Sequence, residues 1–139
     1  MKMHTLIENK YDEQQHRYEV TIGTDLGAFE GSVICQEVDY PHESSNVGYD
    51  LAEMKATMKY ANAKRKAYRE RAKALQDFLN NMSDTRTFNQ KDFWVRQCKK
   101  EIDRLWQKTY EWRQFRERLD RGYRLKIESR DEYFKRHEG

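Results

Sequence analysis

From Leu51 to Met82 the apolar positions recur at alternating steps of three and four. They are Leu51, Met54, Met58, Ala61, Arg65, Tyr68, Ala72, Leu75, Leu79 and Met82, with Arg65 the break in the pattern. This spacing keeps one stripe of a helix turned toward a neighbour and has the form of a coiled-coil a/d seam. A second seam follows the same rule through Val95, Cys98, Ile102, Leu105, Thr109, Trp112, Arg116, Leu119 and Tyr123. Ser83-Asp84-Thr85-Arg86 is a short connector, and Thr87 with Gln90 fits a capping box. Two helices of about 33 residues span about 50 Å each, and so short a connector makes them antiparallel neighbours. Facing residue numbers should then add to about 172. That register brings Arg65 near Asp103 or Glu111 and Arg116 near Glu53, pairs that would fix alignment more than they stabilise.

Before the seams the period changes. Tyr18, Val20 and Ile22 alternate with Arg17, Glu19 and Thr21, then Phe29, Gly31, Val33 and Cys35 alternate with polar residues. Thr24-Asp25-Leu26-Gly27 is turn material between them. The pattern predicts a β-hairpin, 17–23 with 28–36. Two strands alone are marginal in water, so their apolar face needs a helix or a further strand, for which residues 4–10 are the candidate. The stretch 37–47, with Pro41 and Ser44-Ser45-Asn46, reads as a loop ending in a helix N-cap. Gly122 reads as a helix stop. Residues 123–128 then read as extended, and Ser129 with Glu132 opens a short helix carrying Tyr133 and Phe134. The expected fold is α+β. An N-terminal β-hairpin region (1–47) packs on a long antiparallel, coiled-coil-like helical hairpin with a short C-terminal helix (48–139), in one folding unit.

Composition supports long solvated helices. Of 139 residues, 37% are charged and 37% hydrophobic, while 13% are aromatic, which excludes simple disorder. The longest apolar runs are three residues, Val33-Ile34-Cys35 and Phe93-Trp94-Val95. A membrane span needs about 18 and a signal peptide an apolar core of about 7–15. A cytoplasmic location without membrane contact is therefore expected. Cys35 and Cys98 fall in different elements and form no C-x-x-C pair, so thiols in a reducing compartment are expected. Net charge is +3, but residues 1–47 carry −6 and residues 48–139 carry +9. Such asymmetry indicates either a charged partner or an acidic cap on a solvated basic helix pair.

The chemistry-bearing residues do not assemble into a catalytic motif. The histidines, His4, His16, His42 and His137, lack metal-binding spacing. Asp39, His42 and Glu43 could supply ligands, but they read better as an acidic loop before a helix N-terminus. Phosphate-binding glycine loops and nucleophile elbows are missing. No catalytic residue, metal or cofactor is expected, and the protein reads as a non-enzyme. A basic stripe is more informative. Between Lys55 and Lys73 stand eight Lys/Arg and one acid, Glu70. Lys55, Lys59, Lys66, Arg69 and Lys73 fall within about 80° of each other, roughly 100° from the seam. They form either a phosphate-binding row or a flank whose stems cover the seam. Phe93, Trp94, Trp106, Tyr110 and Phe115 lie beside the second seam. They either pack on the hairpin and the C-terminal helix or offer a binding surface, for which Trp106 and Tyr110 are the candidate anchors.

Residues 27–52 resemble a segment of small uncharacterised proteins of phages and prophages of Gram-positive bacteria. The resemblance rests on Gly27, Phe29, Gly31 and Cys35, on the Asp39 region with Pro41, and on Gly48 and Ala52. It covers about a fifth of the chain and implies a small, non-enzymatic accessory protein. Several proteins of that setting block host defence nucleases, the anti-CRISPR proteins being the best-known group. The expected function is a phage-encoded inhibitor that meets a host protein or nucleoprotein complex, such as an RNA-guided nuclease, through the basic stripe and aromatic anchors. Direct DNA or RNA binding by an accessory protein is the alternative. A phage structural or assembly protein is another, with the seam as a homodimer interface.

Overall fold

A computed structural model describes residues 4–82 and 90–137, with the side chains of 4–81 and 93–127. Thr87 and the side chain of Gln90, the expected capping box, lie outside the described residues. The protein is α+β. Strands β1 (Thr5–Asp12), β2 (Arg17–Thr24) and β3 (Gly27–Ile34) form an antiparallel sheet in that order. A short 3₁₀ helix spans Glu37–His42, followed by helices α1 (Ser45–Met82) and α2 (Gln90–His137).

The period of two in β2 is what builds the sheet's core, because Tyr18, Val20 and Ile22 point to one side and are buried. β3 pairs with β2 as the hairpin pattern predicts, and Thr24 holds the turn by donating its hydroxyl to the Gly27 carbonyl at 2.7 Å. β1 makes the sheet three-stranded where the pattern predicted a hairpin. Its alternation is broken by a bulge. Leu6 pairs with Ile22 and Glu8 with Thr21, leaving Ile7 as the extra residue. The stretch expected to be a loop holds the 3₁₀ helix instead, closed by the Asp39 amide on the Gln36 carbonyl at 2.8 Å. Ser44 caps α1, its hydroxyl accepting from the Val47 amide at 3.4 Å.

Contacts group the chain into two compact units, one of residues 1–61 with 115–139 and one of 62–114. In the first, α1 carries two buried faces. Leu51 and Ala61 belong to the seam, while Ala52, Ala56 and Tyr60 form a second buried face. Gly31 lies directly against the α1 backbone at Ala52 and Ala56, so a side chain there has no room. Tyr60 donates its hydroxyl to Asp25 at 2.5 Å, tying the same helix to the β2–β3 turn. α2 joins this unit through the Lys126–Asp50 ion pair and the Lys55 ammonium 5.5 Å above the Tyr123 ring.

In the second unit the helices form an antiparallel pair. Ala72 and Leu79 of α1 and Ile102, Leu105 and Thr109 of α2 are its buried residues. Lys64 lies over the Trp112 ring, Arg71 acts on Glu101 and Tyr68 acts on Arg104, so facing numbers add to about 172–176, close to what the connector position predicts.

Two sequence expectations need correction. α2 runs unbroken through Gly122 to His137, so residues 123–128 are helical and no separate short helix opens at Ser129. An interior glycine costs a helix only about 1 kcal/mol relative to alanine, and Arg121, Arg124, Leu125 and Lys126 are good helix formers around it. The ion pairs expected of the seam arginines are also missing among the described residues. Glu53 instead meets the His4 imidazole at 2.8 Å, and the buried Nε atoms of Arg65 and Arg116 have no hydrogen-bond partner. No described helix is long and apolar enough to cross a membrane.

Candidate nucleic-acid interface

The second unit concentrates the positive charge, with 14 Lys/Arg against 7 Asp/Glu. The first holds 13 Lys/Arg against 17 Asp/Glu. Part of the second unit's charge is neutralised locally. Arg104 donates to Glu101 at 2.6 and 2.9 Å, and those bonds, aided by Arg71, hold the Glu101 carboxyl below its ordinary value. Lys64 lies 5.8 Å over the Trp112 ring, and Lys108 lies 3.5 Å from Glu111. All these groups share one side of the helix pair.

The other side is different. Lys66, Arg69 and Lys73 are exposed, and none of them pairs with a described residue. At 100° per residue they fall within about 60° of one another, on the flank that follows the α1 seam. Trp106 and Tyr110 fall about 40° apart on the flank that follows the α2 seam, with Lys99 two turns before Trp106. In an antiparallel pair the two following flanks lie on the same side, because reversing a helix reverses its apparent sense of rotation. Lys66, Arg69, Lys73, Lys99, Trp106 and Tyr110 therefore share one face. That register sets Lys66 roughly level with Trp106 and Lys73 roughly level with Lys99. Trp106 is 42% exposed and Tyr110 56% exposed, so neither ring is consumed by packing. Phe93 and Trp94 are exposed too, whereas Phe115 is half-buried. Asp103 is the exposed acid on this flank of α2.

Lys55 and Lys59 belong to the first unit. Lys59 donates its ammonium to the Glu30 carbonyl at 2.7 Å, and Lys55 sits over Tyr123. Both are thus engaged within their own unit. The exposed, uncommitted part of the basic stripe is Lys66, Arg69 and Lys73.

The first unit holds a polar cluster with no sequence signal. The Glu43 carboxylate accepts from the Tyr18 hydroxyl at 2.6 Å, the Tyr11 hydroxyl at 2.8 Å and His16 Nδ1 at 2.6 Å. These bonds, Tyr18 first, hold the Glu43 carboxyl down at about 2. The same carboxylate pushes the Tyr11 hydroxyl up to about 12, while burial and then Glu43 push Tyr18 up further. His16 closes the β1–β2 turn in the left-handed region, at φ 51°, and its ring stacks on Tyr40 at 3.7 Å. That backbone costs a non-glycine residue about 1–2 kcal/mol, which the carboxylate bond and the stacking offset. Tyr18, Val33, Cys35, Glu43, Leu51 and Tyr123 line part of a groove of about 800 Å³ in this unit. Glu43 saturated by three donors is a poor proton acceptor at neutral pH, so the cluster acts as a lock joining the β1–β2 turn, β2 and the approach to α1. Among the described residues no group of three His, Cys, Asp or Glu is arranged to hold a metal ion.

Comparison of the chain with known protein families, with curated proteins and with solved structures finds no match.

Proposed function

We propose that the protein is a non-enzymatic binding protein that engages nucleic acid through one face of its basic helical hairpin. The observation that supports this reading is the gathering of unpaired, exposed Lys66, Arg69 and Lys73 beside exposed Trp106 and Tyr110. Phosphates are the natural counter-charge for a row of uncommitted cations. The resemblance of residues 27–52 gives the setting, a phage accessory protein in the host cytoplasm. There the face would meet the nucleic acid of a host defence enzyme, as an anti-CRISPR-type inhibitor does. In this reading the seams pack as a coiled coil and serve to hold the face rigid.

The inhibitory role is tested in Gram-positive hosts carrying active RNA-guided nucleases. Expression of the protein should restore transformation by a targeted plasmid, and the triple variant Lys66→Glu, Arg69→Glu, Lys73→Glu should lose that effect. If targeted plasmids stay excluded across a panel of such nucleases, the inhibitor role falls. Binding of purified protein to free DNA or RNA would then support the accessory nucleic-acid-binding alternative.

A further inference from the structure

The second unit offers rings as well as charge, and the rings select the form of nucleic acid. We infer that the face formed by Lys66, Arg69, Lys73, Lys99, Trp106 and Tyr110 is a binding site for a single-stranded segment of DNA or RNA. This rests on the nucleic-acid reading above and names the ligand of that same face.

Three features support a single strand. Trp106 and Tyr110 stand one turn apart, about 6 Å along the axis, with 42% and 56% of their surface open. An exposed indole and phenol beside a cation row gain little from a duplex, whose bases are stacked on one another and present only their edges. An unstacked base presents its π-face, and stacking on aromatic residues is how sequence-tolerant single-strand sites bind. The cations stand to one side of the rings. On α1 the row of Lys66, Arg69 and Lys73 covers about 10 Å, so a backbone can follow it while bases lean across toward α2. Lys73 and Lys99, roughly level across the pair, close the far end. The face is also short. From Tyr110 to Lys99 is about 16 Å, which at a stacked rise of about 3.4 Å accommodates at most about five nucleotides.

Asp103 sits on the α2 side of this face, where an anion is a disadvantage for phosphate. Glu70 and Asp77, both exposed, follow Lys66 and Lys73 by four residues and stand about 40° from them on the same flank of α1, so acids border the cations on both helices.

The test uses the full-length chain and fluorescence anisotropy with a labelled 12-nucleotide DNA strand, the same RNA strand and the blunt DNA duplex. Single strands of either sugar should bind about tenfold more tightly than duplex. Trp106→Ala with Tyr110→Ala should weaken single-strand binding at least tenfold and leave duplex binding unchanged. Trp106→Phe, which keeps a π-face, should retain most of the affinity, and Trp106→Leu should not. More than half of the Trp106 surface is covered, so Trp106→Phe and Trp106→Leu, which fill most of that space, accompany the alanine variants, and the unchanged duplex binding serves as the control for folding. Duplex bound as tightly as single strands, with the ring variants neutral, would overturn this inference. The proposed nucleic-acid function would stand in that case if the triple charge reversal abolished binding to both. Failure of the wild-type protein to bind any of the three at low salt would overturn both.

Discussion

At the residue scale the Glu43 cluster makes the clearest commitments. A carboxyl held at about 2 stabilises the fold through its ionised form. Its folded value lies below the ordinary 4.5. The contribution is therefore complete above that ordinary value and is lost as pH falls toward 2. Thermal melts between pH 6 and 2.5 should show an acid limb that Glu43→Gln lacks, and at neutral pH that variant should be less stable by about 1–3 kcal/mol. The tyrosines carry the opposite sign. Their raised hydroxyls favour the folded state below pH 10 and cease to do so as alkali ionises them. None of this cluster was legible in the sequence. Glu43 lies 25, 27 and 32 residues from Tyr18, His16 and Tyr11, and no periodicity links positions that only a sheet and a turn bring together. The loop Asp39–Glu43 drew attention as a set of candidate ligands, but the partners that define Glu43 lie in β1, β2 and the turn between them.

At the element scale the helices were the readable part. A step of three and four is dictated by the helix itself, so Ala72, Leu79, Ile102 and Leu105 could be placed in a seam without any tertiary knowledge. Punctuation was harder. Gly122 reads as a stop because glycine favours a C-cap, yet its cost inside a helix is small enough for its neighbours to override. Gly122→Ala should therefore raise the melting temperature, by up to about 1 kcal/mol of stability, since an added methyl would meet only the Met54 Cε at 3.5 Å. A lower melting temperature would indicate a left-handed glycine and a broken helix. β1 stayed obscure because its bulge at Ile7 destroys the alternation by which strands are recognised. The glycine at position 31 behaves oppositely to Gly122. It is pressed against the α1 backbone at Ala52 and Ala56, so Gly31→Val should destabilise by at least about 1–3 kcal/mol in chemical denaturation. The physical role of Gly31 is the close approach of β3 to α1.

At the scale of the whole molecule charge is the organising variable. Sequence arithmetic located the asymmetry but divided it at residue 47, whereas the contact units divide it by the middle of the helical hairpin. The basic stripe read from α1 alone ran from Lys55 to Lys73, and the structure finds its first two members engaged by Tyr123 and Glu30. Side-by-side placement of Trp106 and Tyr110 with the remaining cations depended on the antiparallel register, which a single helical wheel does not contain. The measurement that reaches this claim most directly is the salt dependence of binding to a labelled single strand. Wild-type affinity should fall steeply with salt. Reversal of Lys66, Arg69 and Lys73 to glutamate should weaken binding and make the slope of log affinity against log salt shallower by about 0.7 per lost contact, or about 2 in all. Melting should be unchanged, because the three side chains are exposed. An unchanged affinity and an unchanged slope in the triple variant would contradict a nucleic-acid face on this helical hairpin.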